Sequence, residues 1–162
     1  MGSRISGATR IIELVKTCRT PFELNAKHGD DVLIVTDTAM DPLVWQATAA
    51  AAHELGCEAI TAMITPRSHA QAEPPAPIAE AMKKARIDVF LTSVPLGHSK
   101  ANVEARKAGA LAIYMEQATA DVLTSDGAKM SPSEYRRMYE FGLRVKDVLD
   151  KGYECHITCL LY

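Results

Sequence analysis

The chain reads as an α/β domain, a three-layer, doubly wound, mainly parallel sheet of Rossmann-like or flavodoxin-like type. Three observations carry this. The runs "DVLIVT" at 31–36 and "DVFLT" at 88–92 are short, apolar and rich in β-branched residues, as strands buried on both faces must be. Each is followed by a helical pattern, and strands alternating with helices return parallel through right-handed crossovers, with helices on both faces. With 162 residues, 48% apolar and 23% charged, the chain can bury one core and has an ordinary globular composition.

The elements follow in order. "ATRIIELVKTC" is a short amphipathic helix, and "TPFE" then starts a second turn with Thr20 as N-cap, Pro21 at the first helical position and Glu23 for a capping box. Residues 1–30 are expected to form a helical segment packing on an α/β domain at 31–162. The first strand is 31–36. Asp41 caps and Pro42 opens the helix "LVWQATAAAAHELG", whose alanines allow close approach to a sheet and which Gly56 ends. "EAITAMIT" at 58–65 is the second strand, followed by the Pro-rich loop "PRSHAQAEPPAP" and the helix "IAEAMKKAR". "DVFLT", the loop "SVPLGHS" and the helix "KANVEARKAG" come next, then a fourth strand at 111–115 and a short helix "ATADVLTS". Ser131, Pro132 and Glu134 are the clearest helix start in the chain. The helix they open puts Tyr135, Met138, Tyr139, Gly142, Val145 and Leu149 on one face. A last strand is expected at 154–161, and its bare apolar end needs a covering partner, so a homo-oligomer is expected.

Composition excludes several classes of function. A formal charge of −2 offers no attraction for nucleic acid or an anionic membrane. No apolar run approaches the roughly 20 residues that span a bilayer, and the N-terminus shows no long apolar segment, so a cytoplasmic location is expected. Cys18 and Cys57 read as small buried residues. Cys155 and Cys159 lie on the expected last strand, where four residues span roughly 13 Å, too far for a disulfide or one shared ion. Four free thiols are expected.

In an open parallel sheet, ligands sit beyond the carboxyl ends of the strands where the strand order reverses. In a flavodoxin-like order that crevice lies between the loops after the first and third strands, "TDTAMDP" and "TSVPLGHS". Asp37, Thr38, Thr92, Ser93, His98 and Ser99 are therefore expected along one edge, with Asp41 beside them as a cap. Asp37 could equally hold its own loop, and Ser99 could cap the following helix, whose first amides could also receive an anion. No phosphate-binding glycine motif follows any strand, and His53, His28 and His156 read as surface or structural residues. His69 sits in a loop that could act as a lid. His98 can take or give a proton near neutral pH and points from a strand's carboxyl end, although a solvated loop histidine is the simpler reading of the residues alone. Nothing stands near it at metal-ligand spacing, so no metal is assigned to this chain.

The stretches "DVLIVTDTAMDPLVWQATAAAAHELGCEA", "AEPPAPIAEAMKKARIDVFLTSVPLGHSKANVEARKAGA" and "DKGYECHIT" resemble the N-terminal domain of the aminopeptidase T-like superfamily. That group holds the leucyl aminopeptidase T metallopeptidases and the 2,5-dihydroxypyridine 5,6-dioxygenases. The resemblance implies an α/β domain that roofs the active-site cleft of a larger two-domain enzyme. A C-terminal domain, missing here, would carry the metal: Fe(II) in the dioxygenases, two divalent ions such as Zn, Co or Mn in the peptidases. The "DP" of "DTAMDP" and the "HS" of "LGHSKA" are more similar to the dioxygenase branch. By that resemblance ring cleavage of a small aromatic substrate is favoured, with His98 removing a hydroxyl proton from the ring, and hydrolysis of a short peptide by a metallo-aminopeptidase is an alternative. A non-catalytic binding or assembly domain is the alternative that the missing ligands leave open.

Overall fold

The computed structural model describes residues 7–158. The chain divides into two compact units, Met1–Lys129 and Met130–Tyr162.

The first unit opens on α1 (Gly7–Asn25) and continues through β1 (Asp31–Asp37), α2 (Pro42–Glu54), β2 (Glu58–Ile64), α3 (Ala76–Met82), β3 (Ile87–Leu91), α4 (Lys100–Lys107), β4 (Leu111–Tyr114) and α5 (Ala120–Thr124). The four strands form one all-parallel sheet in the order β2-β1-β3-β4. This is the expected doubly wound α/β fold, in its flavodoxin-like order, and the reversal lies between β1 and β3.

The central strands decide the layers. Alternate residues of a strand point to opposite faces, and β1 and β3 are apolar on both. Val32, Ile34, Ile87, Val89 and Leu91 pack with Leu14, Cys18, Phe22, Val44, Ala47 and Ala51, from α1 and α2. Leu33, Val35 and Phe90 pack on the other side with Met82, Ala101 and Ala105, from α3 and α4. The outer strand β2 is half wet, with Ile60 and Met63 about half exposed. Asp41 caps α2 by accepting from the Leu43 amide, and Gly56 takes φ +76° where the chain leaves that helix.

The N-terminal region departs from expectation. Thr20 starts no second helix: α1 runs unbroken through Pro21. Proline inside a helix removes one backbone hydrogen bond and normally costs about 3 kcal/mol. Here Cys18 and Phe22 on either side are 1% exposed, and their burial against α2 keeps the helix continuous despite the lost bond.

The second unit is one helix, α6 (Pro132–Lys151), and the segment after it. Its start is the expected capping box: Glu134 N–H donates to Ser131 Oγ, and Ser131 N–H donates to Glu134 Oε2 at 2.7 Å. The Ser131 hydroxyl, which donates to Glu134 Oε2 at 2.6 Å, and after it the Ser131 N–H hold the Glu134 carboxyl below its usual pKa range. No residue of α6 is buried. The expected last strand does not form across 154–158, which is irregular and exposed, and 159–161 lies outside the described residues. A strand exists by pairing, and apolar alternation alone does not make one. His156 is exposed and paired with Glu154 at 3.1 Å rather than structural. Cys18 and Cys57 are buried free thiols and Cys155 an exposed one, while Cys159 lies outside the described residues.

Candidate functional site

The carboxyl ends of β1, β3 and β4 are tied together by a small set of polar bonds. Asp37, the last residue of β1, is 1% exposed. Its Oδ2 accepts from Ser93 N at 2.7 Å and Ser93 Oγ at 2.9 Å, and its Oδ1 accepts from Ala39 N at 3.0 Å. Asp37 therefore holds its own turn and clips the β3 loop to β1 at the same time. On the other side Gln117 N donates to Thr92 O at 2.9 Å and Gln117 Nε2 to Ser93 O at 3.3 Å, which joins the β4 loop to the same segment. Gln117 takes φ +59° to do this, a left-handed conformation that costs a non-glycine residue about 1–2 kcal/mol.

Of the expected edge residues, Asp37 and Ser93 meet directly. Thr38 is exposed, its amide bonded to Ile64 O at 3.2 Å. Thr92 is 1% exposed, and its hydroxyl has no partner among the described residues. Ser99 is buried, and its hydroxyl accepts from Asn102 N as the α4 cap. The open amides of α4 do not await an external anion. Glu73 supplies the carboxylate, accepting from Lys100 N at 2.7 Å and Ala101 N at 3.0 Å. Gln71 N–H, at φ +68°, donates to Pro95 O at 2.7 Å, so the Pro-rich loop is fastened across the β3–α4 loop at two points.

His98 is exposed and bonds to none of these residues among those described. It lines a depression of about 410 Å³ with Gly97, Asn102, Val103, Arg106, Tyr114 and Glu116. Glu116 Oε1 accepts from Leu96 N at 2.5 Å and Gly97 N at 2.7 Å, so a carboxylate from the β4 loop fixes the backbone immediately before His98. Charge-assisted bonds of this kind are short and about twice as strong as neutral ones. The result is an exposed imidazole on a loop whose backbone is held from β1, β4 and the Pro-rich segment, facing a depression with a guanidinium, a phenol and a carboxylate on its walls.

Sequence reasoning missed Asn102, Arg106, Tyr114 and Glu116. The edge rule that selected the β1 and β3 loops applies equally to the end of β4, the neighbour of β3, and "YMEQ" stands there. Asn102 is a polar residue among the alanines of a helix, a pattern that signals a buried hydrogen-bonding job.

No three His, Cys, Asp or Glu side chains among the described residues come together as a metal site. The described residues by themselves do not fit a resident ion.

These features define the class: a parallel α/β domain with a polar site at the carboxyl edge of its sheet. No family model matches the chain, and no curated protein matches it in sequence. Among solved structures the fold is similar to 2,5-dihydroxypyridine dioxygenase from Pseudomonas putida KT2440, with a TM-score of 0.58 and 17% identity over 74% of this chain. The match covers 37% of that enzyme, so this chain spans well under half its length. A fatty acid ABC transporter substrate-binding protein from Thermomonospora curvata matches over 77% of this chain and 32% of its own, at 18% identity and a TM-score of 0.49. At such identities the likeness is one of fold.

Proposed function

We propose that this chain is the substrate-covering α/β domain of a metal-dependent enzyme, and that His98 is its acid–base group. The observation that carries the reading is the position of His98: exposed, on a backbone clamped by Glu116, and on the wall of a depression at the ligand edge of the sheet. The resemblance of "LGHSKA" to the dioxygenase branch and the fold likeness to 2,5-dihydroxypyridine dioxygenase favour ring cleavage of a hydroxypyridine-type substrate over peptide hydrolysis. In that reaction the metal belongs to a part of the enzyme outside this chain. His98 accepts the proton of a ring hydroxyl, leaving an electron-rich ring oxyanion, and Arg106 on the same wall favours the negative charge that develops.

The test is oxygen uptake by the enzyme containing this chain and its metal-bearing part, with Fe(II) and 2,5-dihydroxypyridine. General-base removal typically costs about 100- to 10,000-fold, so His98→Ala should lower turnover by about 100-fold or more. Full turnover by His98→Ala would remove the role assigned to it. Amino-acid release from short peptides with Zn, Co or Mn, in place of oxygen uptake, would move the enzyme to the peptidase branch.

One observation favours a second reading, a binding or assembly domain. Met138, Phe141, Val145 and Val148 on α6 follow the three–four spacing of a helical seam and are 43–69% exposed. That reading expects oxygen uptake to be indifferent to His98→Ala.

A further inference from the structure

Tyr114 has no part in the proton transfer above, yet few side chains in the structure are so thoroughly positioned. It ends β4, and its ring is held from three directions. Phe90 stacks on it with centroids 5.7 Å apart and planes 14° from parallel. Gly97 lies so close that a Cβ there would stand 2.6 Å from Cε1 and 2.7 Å from Cδ1, so only glycine fits without displacing the ring. The third contact is at the hydroxyl, whose oxygen accepts from Asn102 Nδ2 at 2.9 Å.

That last bond has a direction, and the direction is determined. The same Asn102 nitrogen also donates to the carbonyl of Gly97. A carbonyl oxygen can be met only by a donor, so the amide group must stand this way round. The nitrogen then uses one hydrogen on Gly97 and the other on Tyr114. The Tyr114 oxygen is the acceptor in its bond, and its own hydrogen is left over. Among the described residues nothing takes that hydrogen, and Tyr114, 49% exposed, lines the depression with His98.

The geometry points to Tyr114 as an orienting donor, giving its hydroxyl hydrogen to an acceptor oxygen on a small planar ring seated beside His98. The remaining walls match such a ligand. Arg106 and Glu116 carry opposite charges, so the depression suits an uncharged, hydroxylated ring better than a polyanion. Its volume of about 410 Å³ lies within the usual range for small-molecule sites. The inference rests on reading the His98 edge as the ligand side and adds to it the residue that sets which way the ring faces.

The test is direct binding to the full 162-residue chain, with no metal and no turnover. 3-Hydroxypyridine and pyridine are titrated into the wild type and Tyr114→Phe, following the His98 ring C–H resonances by NMR. Phenylalanine keeps the stacking, and Asn102 keeps the Gly97 carbonyl. The wild type should bind the hydroxylated ring about tenfold more tightly, the worth of one net hydrogen bond. Tyr114→Phe should bring the two probes within about twofold by weakening the hydroxylated one alone. Equal weakening of both probes would make Tyr114 a mere brace for the loop. Undiminished discrimination, or no binding of 3-hydroxypyridine to the wild type, would also overturn the assignment. If Tyr114→Phe fails to fold, 3-methoxypyridine decides in the wild type, because its oxygen accepts but cannot donate. A preference for it over pyridine supports the donor, and none overturns it. A failure here leaves the dependence of turnover on His98 standing, so the two readings fail separately.

Discussion

At the scale of single residues, the groups that stand out are buried carboxylates with opposite fates. Asp37 has three donors around it, the arrangement that makes burial of a charge tolerable. Asp88, on β3, is 0% exposed with neither oxygen bonded among the described residues. Alternation along β3 places it on the Phe90 face, among apolar neighbours from α3 and α4. Burial accordingly raises its pKa from 3.8 to about 7. The sign for stability follows. Below about pH 4 both states are protonated and Asp88 costs nothing through ionisation. Between about pH 4 and 7 the unfolded chain ionises while the fold resists, so stability falls as pH rises, and above 7 it levels off. Asp88→Asn removes this dependence. In urea titrations its stability relative to the wild type should be about 3 kcal/mol greater at pH 8 than at pH 5. A difference that does not change with pH would mean that Asp88 is charged and partnered in solution.

At the scale of elements, most starts and stops were legible because they rest on local chemistry. Asp41 with Pro42, Ser131 with Pro132 and Glu134, and Gly56 after α2 each do what their type dictates within four residues of sequence. Pro21 misled for the same reason. Its local preference is a helix start, but the apolar positions Leu14, Cys18 and Phe22 form one stripe against α2, and packing prevailed over propensity. Pro21→Ala should therefore stabilise the protein. It restores a helical hydrogen bond and removes the ring's clash with the preceding turn, together worth about 3 kcal/mol, less about 0.4–1 kcal/mol for a more flexible unfolded chain. A net gain of about 2 kcal/mol in denaturant midpoint analysis is expected, and a loss would show that α1 needs its proline.

At the scale of the whole molecule, both hydrophobic clusters are built entirely from residues within Met1–Lys129, from Ile11 to Leu123. None of α6 contributes. A chain ending at Lys129 should keep one cooperative unfolding transition, with a midpoint close to that of the intact protein when followed by circular dichroism. Loss of cooperativity would show that the second unit supports the first. No helix among the described residues is long and apolar enough to cross a bilayer.

By itself the sequence determined the α/β class, the buried strands, most helix caps and the β1 and β3 loops that meet at the carboxyl edge of the sheet, since each follows from composition and spacing within one segment. Tertiary structure alone decided what surrounds His98. Glu73 reaches α4 across 27 residues, Glu116 reaches the His98 loop across 20, and Asn102 meets Tyr114 only because β4 pairs with β3. It also decided against the last strand over 154–158, where the apolar alternation was present but the backbone is irregular. Local preference is written in neighbouring residues, whereas a hydrogen bond between distant segments exists only after the sheet has set their register.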